Sequence, residues 1–125
     1  MLFLFPGFEN VGNMLASVYA LCYHVLVNVI SKPGLMKLAK KHPSEAAELV
    51  LWYRRARRGR WVWFGDVRAD FPSADQIGEV LVFDIGWNSL RLICTVDYPT
   101  ARVFVKALLT HKEYDRKEWM KWTRH

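Results

Sequence analysis

The sequence predicts an α+β domain: an N-terminal strand and two helices packed on a small antiparallel sheet. Three observations carry this. Residues 80–109 hold three runs of alternating apolar character, separated by the four-residue turns Gly86–Ser89 and Tyr98–Ala101, which reads as a meander of strands. Residues 43–58 repeat apolar side chains at helical spacing behind a proline. The chain has 125 residues, 52% of them hydrophobic and 24% charged, which suits one domain with one core and excludes a disordered chain.

Leu26 to Ile30 (LVNVI) is β-branched and weakly alternating, hence a first strand. Ser31 is placed to cap a short helix that runs to about Lys41, with Pro33 in its first turn. Leu35, Leu38 and Ala39 form its inner side, and Lys37, Lys40 and Lys41 complement its negative end. The second helix starts at Pro43, where no donor is needed, and carries Glu45 and Glu48 near its positive end. Ala46, Leu49, Val50 and Tyr53 are expected to line its buried stripe, with Arg57 next in the repeat. Gly59 is expected to end it in a left-handed turn. Trp61, Val62, Trp63 and Phe64 then plug the space between helices and sheet, or else stack on bases; the plug is the commoner use of large aromatics. Asp66 to Phe71 reads as a short helix or turn, stopped at Pro72, and Gly78 punctuates the loop into the sheet.

The side-chain period sets the register of the sheet. With Ile85 opposite Leu90 and Asp97 opposite Arg102, the core face reads Phe83–Leu92–Ala107 and Leu81–Cys94–Val105, all apolar. A slip of one residue would turn Arg91 and Lys106 into the core. The opposite face then carries Asp84 beside Arg91, and Val82 beside Ile93 and Lys106. The last strand gives way at Thr110 to the polar run Thr110-His111-Lys112-Glu113-Tyr114-Asp115, at a strand end where scaffolds often hold reactive groups.

Lys and Arg number 18 against 12 Asp and Glu, for a net charge of +6 and a pI near 9.6, and 14% of residues are aromatic. A polyanion such as RNA suits this balance, although a positive surface alone is compatible with any soluble protein. Arg54, Arg55, Arg57, Arg58 and Arg60 are the densest charge in the chain. They are expected to contact the phosphates of a large RNA, with Arg102 and Lys112 as further contacts; the plain alternative is a solvated helix end. Cys22 and Cys94 form no close pair, and no histidine spacing fits zinc. Reduced thiols in a cytoplasmic protein are expected, with no metal and no cofactor.

The first 24 residues contain no Lys or Arg and one acid, Glu9. A secretory leader needs a basic start. Residues 14–30 are mostly apolar but include His24 and Asn28, and are short for a membrane span. The expectation is an extension ahead of a domain over residues 25–116, without membrane association, and a basic aromatic tail over 117–125 that can form a short helix.

Cutting RNA requires a base for the 2′-hydroxyl, a cation for the phosphorane and an acid for the leaving 5′ oxygen. Arg91 suits the cationic role through its bidentate guanidinium, with Lys106 assisting. His111 can serve as base or acid, and Tyr114 can share either role while its ring stacks on a base. Asp115 either orients His111 or caps a turn. Each has a plain alternative: Arg91 paired with Asp84, Lys106 solvated on its strand, His111 and Tyr114 closing the end of the sheet.

Several motifs occur in one order over the chain: Val29-Ile30-Ser31, His42-Pro43, Trp52-Tyr53, Asp66-Val67 leading to Phe71-Pro72-Ser73-Ala74, the strand VFDI (82–85), Asn88 with Arg91, and THKEYD (110–115). Through these, residues from about Val25 to Arg116 resemble the HigB toxins, bacterial RNA-cleaving proteins of the RelE-like superfamily. The resemblance implies a RelE-like fold and a type II toxin–antitoxin toxin. Such a toxin cleaves mRNA on translating ribosomes without metal and is bound by a helix-turn-helix antitoxin, HigA. It also implies that basic sheet residues and the C-terminal His/Tyr region take part in cleavage, here Arg91, Lys106, His111 and Tyr114. Two positions depart from the family: Trp87 stands where a small residue is usual, and Asp84 where Asn is usual. An acid at 84 either weakens phosphate binding or holds Arg91 in place. Two rival functions remain: a non-catalytic RNA-, ribosome- or antitoxin-binding protein of the same fold, and an interaction protein tethered to membrane by residues 1–24.

Overall fold

The structure is a computed structural model that describes residues 26–31, 34–87 and 89–123. The expectations for residues 1–24, and those for Cys22, Pro33 and Asn88, lie outside the described residues. The chain runs β1 (Asn28–Ser31), α1 (Leu35–Lys41), a 3-10 turn (Pro43–Glu45), α2 (Ala46–Arg57), α3 (Phe64–Asp70), β2 (Asp75–Ile77), β3 (Val80–Ile85), β4 (Leu90–Asp97), β5 (Arg102–Thr110), α4 (His111–Asp115) and a 3-10 segment (Glu118–Thr123). The sheet has the order β1-β5-β4-β3-β2. β1 lies parallel to β5, and the other neighbours are antiparallel. This is the α+β, RelE-like arrangement expected from the sequence.

The topology explains the layering. β1 and β2 occupy opposite edges, so the intervening chain must cross the sheet, and the helices of that crossing cover one face. On this inner face Phe83 is the hub. Its ring lies 5.3 Å from Trp52 of α2, 6.2 Å from Trp61 and 5.0 Å from Phe71, mostly edge-on, as ring quadrupoles favour. Leu49, Ala56, Val67, Leu81, Leu92 and Val105 close around this aromatic centre. Trp61 is the expected plug: it is buried, and its indole N–H donates to Asp70 Oδ2 at 2.8 Å. Trp63 stays exposed.

Several local expectations need correction. The buried stripe of α2 is Leu49, Trp52 and Ala56, while Val50 is exposed and Ala46 and Tyr53 are only partly covered. The helix has more apolar residues than one face can use, and the position of the Phe83 cluster selects among them. Gly59 does not adopt a left-handed conformation. It is small because a Cβ there would lie 2.6 Å from the Trp61 indole nitrogen. Ser31 caps nothing; its hydroxyl is buried without a hydrogen-bond partner, and α1 begins behind Gly34. β2 was not expected as a strand. It is only three residues long and is recruited by pairing with Val80–Val82 across the tight turn at Gly78, φ 60°.

The largest correction is in β5. Ile85↔Leu90 and Asp97↔Arg102 pair as expected, but a β-bulge shifts the β4–β5 register between Ile93 and Cys94. Cys94 faces Val105 and Ile93 faces Ala107, so Lys106 is the extra residue. Beyond it the faces exchange: Leu108, opposite Leu92, joins the inner core, and Ala107 and Leu109 turn outward. The outer face has its own apolar cluster of Val80, Val82, Ile93 and Trp119, flanked by Ile77, Ala107, Leu109, Tyr114 and Trp122. The C-terminal 3-10 segment therefore lies over the sheet.

The bulge makes a direct prediction. Leu108→Ala should lower unfolding stability by about 2–5 kcal/mol, while Lys106→Ala should change it by less than about 0.5 kcal/mol. Urea denaturation of the two variants checks this, and similar stabilities would favour the unbulged register.

Candidate active site on the outer face

The bulge delivers the end of β5 to Arg91. Arg91 pairs with Leu109, and Leu90 with Thr110, so His111 begins α4 directly beyond the Leu90 rung, two residues past the partner of Arg91. α4 is too short to hold itself by propensity. A capping box starts it: the Thr110 hydroxyl accepts from the Glu113 N–H at 3.2 Å, and Glu113 Oε1 accepts from the Thr110 N–H at 2.9 Å. That backbone hydrogen bond, helped by the Thr110 hydroxyl and by Lys41 and Arg116, holds the Glu113 carboxyl below its ordinary value. The THKEYD run is thus a capped helix rather than a loop.

Arg91 is largely covered and is gripped from two sides. Its guanidinium bonds Asp84 Oδ1 at 3.0 Å and lies 5.6 Å from the centroid of the Tyr114 ring. Tyr114 stacks on Trp119 with centroids 5.0 Å apart and planes 9° apart. Burial pushes the Tyr114 phenol above its ordinary pKa; Arg91 opposes the shift, and Asp75, Asp84 and Asp115 add to it. Arg91 and Tyr114 are therefore brought together, with Asp84 between strands as a tether. One face of the Tyr114 ring is occupied by Trp119.

The remaining predicted residues are spread more widely. His111 is exposed, as is Lys112 beside it. Lys106 is exposed at the bulge, three residues or about 10 Å along β5 from Leu109. Its ammonium lies 5.8 Å from the Phe104 ring, towards the other end of the strand from Arg91. Arg102 begins β5, about 30 Å from His111 along the nine-residue strand. Arg54, Arg55, Arg57, Arg58 and Arg60 are all exposed on or just after α2, in the layer that covers the inner face. Arg55 nevertheless lines one cavity with Asp84, the ion-pair partner of Arg91. Arg55 and Arg57 lie over Phe71 and Tyr53 at 5.7 and 5.4 Å.

Sequence reasoning missed Trp119 as a partner of the site. Its signal was an aromatic five residues beyond Tyr114 in a basic aromatic tail, and only the return of the chain over the sheet gives that spacing meaning. Trp87, 96% exposed with φ 57°, sits at the tip of the β3–β4 turn, a conformation that side chains rarely adopt. Cys94 is a free, fully buried thiol whose pKa is driven up by burial, so it takes no part in surface chemistry. Among the described residues no cluster of His, Cys, Asp or Glu is placed to hold a metal ion, and no helix is long and apolar enough to cross a membrane.

Residues 45–117 match the family model of HigB toxins, described as the RelE-like toxic component of a toxin–antitoxin system. The chain belongs to the HigB toxin family. The matched segment runs from α2 through α4, so it contains Asp84, Arg91, Lys106, His111 and Tyr114 and stops short of Trp119. Among curated relatives, the mRNA interferase HigB of Escherichia coli O6:H1 is 31% identical over 93 residues, covering 72% of this chain and 90% of that protein. The mRNA interferase toxin HigB of Escherichia coli K12 is 29% identical over 92 residues, covering 71% and 88%. The mRNA interferase HigB of Shigella flexneri is equally similar, with the same coverage. The HigB-family match spans the site apart from Trp119, while β1, α1 and the C-terminal segment that completes the outer face lie beyond it.

The capping box yields a pH-dependent prediction. Because the Glu113 carboxyl is held below 4.5, its stabilising contribution is present above that pH and is lost as pH falls through the lowered folded value. Thr110→Ala should cost about 1 kcal/mol near neutral pH, whereas the deficit of Glu113→Gln, which removes the titrating carboxylate, should shrink as pH falls below 4.5. Denaturation measured from pH 7 to pH 3 reads both effects.

Proposed function

We propose that this HigB-family chain is an mRNA endonuclease, the activity named for its relatives. It acts on translating ribosomes by attack of the 2′-hydroxyl on the adjacent phosphate, without a metal. The observation that carries the proposal is the Asp84–Arg91–Tyr114 grouping, with its 3.0 Å ion pair and 5.6 Å cation–ring contact, at the strand end that leads into His111. A guanidinium held on a β-ribbon is pre-organised to meet charge as it develops on a phosphorane. As the 2′ oxygen bonds to phosphorus, the bond to the 5′ oxygen breaks, leaving a 2′,3′-cyclic phosphate and a 5′-hydroxyl. Tyr114, whose ring lies against the Arg91 guanidinium, is the group assigned as donor to the 5′ oxygen. His111 then takes the 2′ proton. Lys106 and Lys112 lie on flanks where they can hold neighbouring phosphates.

Asp84 lowers the charge offered to RNA but fixes the guanidinium, so the acid that departs from the family pattern serves as a tether. The arginines of α2 support the ribosome as the larger partner: they form a second exposed basic patch on the helical layer, and engaging all of them together with Arg91 takes a surface larger than one nucleotide. A helix-turn-helix antitoxin of the HigA type is the expected regulator, and the cytoplasm the expected compartment. The same arginine layer favours a second reading, a ribosome binder without turnover.

Induction of wild type, Arg91→Ala and His111→Ala in cells, followed by mapping of RNA 5′ ends, separates the two. Wild type should create new 5′-hydroxyl ends in mRNA, and each variant should lose at least about 100-fold of that cleavage. Equal cleavage by all three removes the catalytic assignment. Replacing Arg54, Arg55, Arg57 and Arg58 with Gln should weaken ribosome binding and flatten the slope of log affinity against log salt, by about 0.7–0.9 for each phosphate no longer neutralised. An unaltered slope would remove the arginine ridge from the interface.

A further inference from the structure

Beyond these groups, we infer that Trp119 is a positioning residue for the reaction: it sets the Tyr114 ring, and through it the Arg91 guanidinium. The inference rests on the proposed cleavage site, although Trp119 lies outside the segment that matches the family model. Trp119 is 4% exposed and makes two separate contacts with Tyr114. Its ring stacks on the phenol at 5.0 Å and 9°. Its indole N–H donates to the Tyr114 carbonyl at 3.0 Å, and the same carbonyl accepts from the Lys117 N–H at 3.0 Å. Both acceptor positions of that oxygen are thereby used. The Tyr114 backbone and ring are clamped together.

The clamp is needed because α4 spans only five residues and is secured at its start, by the Thr110–Glu113 capping box. Tyr114 sits near the other end. Lys117 turns the chain back with φ 61°, a conformation that a non-glycine residue holds only when its surroundings impose it. That reversal carries Trp119 beneath the Tyr114 ring and onto Val80, Val82 and Ile93. From there the contacts continue to Arg91, 5.6 Å from the Tyr114 centroid, and to Asp84 at 3.0 Å. Asp84, Arg91, Tyr114 and Trp119 come from four different elements, so the reactive pair is braced at both ends: Asp84 against the guanidinium and Trp119 against the phenol.

If Trp119 were only a cover for the outer apolar cluster, any large apolar side chain would replace it without changing turnover. W119L keeps the cover and removes the stack and the N–H. W119F keeps a flat, smaller ring and removes the N–H. With full-length protein and mRNA in a reconstituted translation reaction, W119L should lower kcat at least tenfold while KM for the mRNA-bearing ribosome stays within twofold, and W119F should recover most of the loss. The Arg91 side-chain 15Nε–H resonance should shift and exchange faster with water in W119L than in wild type, and W119F should restore it. Should W119L not fold, W119M, whose flexible thioether fills the same hollow without a flat ring, takes its place. A leucine or methionine variant with wild-type kcat, or with an unmoved Arg91 resonance, overturns the inference. The resonance measurement decides the coupling independently of cleavage. If Arg91→Ala cleaves as well as wild type, it is the catalytic reading that falls.

Discussion

The β4–β5 ladder has to bury both of its faces, and the bulge opposite Ile93 and Cys94 is how it does so. A perfectly alternating β5 would direct Val103, Val105, Ala107 and Leu109 to one side and leave Lys106 and Leu108 on the other. With one extra residue, Lys106 is released to solvent, Leu108 meets Leu92 in the helix-covered core, and Leu109 reaches the opposite cluster. The bulge also sets where β5 ends relative to Arg91, because every residue after it is displaced along β4. Core packing and the assembly of the candidate site thus depend on one irregularity in one ladder.

The outer face shows how a small sheet keeps a polar site beside an apolar cluster. Val80, Val82, Ile93 and Trp119 are sealed by the C-terminal segment, and Arg91 and Asp84 stand at the margin, partly shielded from water. Partial shielding strengthens the ion pair relative to a fully exposed one and restricts where the guanidinium can go. The same margin raises the Tyr114 pKa through burial. An aromatic, a cation and a carboxylate with separate structural supports form a more rigid group than flexible side chains on an open β-surface would.

Much of the fold was legible in the residues themselves. The β3 and β4 strands, both hairpin turns and the Ile85–Leu90 pairing follow from period-two alternation between turn signals. The Asp84–Arg91 pair was legible for the same reason, since a correct hairpin register places the two side chains on one face. The stripe of α2 was misread because surplus apolar residues leave periodicity undecided, and β2 escaped notice because three residues carry too little pattern. The bulge was invisible because Ala107 and Leu108 are both apolar, so either could face the core without a penalty that composition would register.

The sequence by itself determined the family, the order of the elements other than β2, the basic character and the candidates Arg91, Lys106, His111 and Tyr114, since these follow from local spacing and ordered motifs. Only the tertiary structure decided which of them meet. It joined Arg91 to Tyr114, moved Lys106 along the strand, set the α2 arginines in another layer and brought Trp119 under the Tyr114 ring. The physical reason is that local spacing records which way neighbouring side chains point. Contacts between distant segments depend on how two apolar faces share one strand and on where the chain turns back.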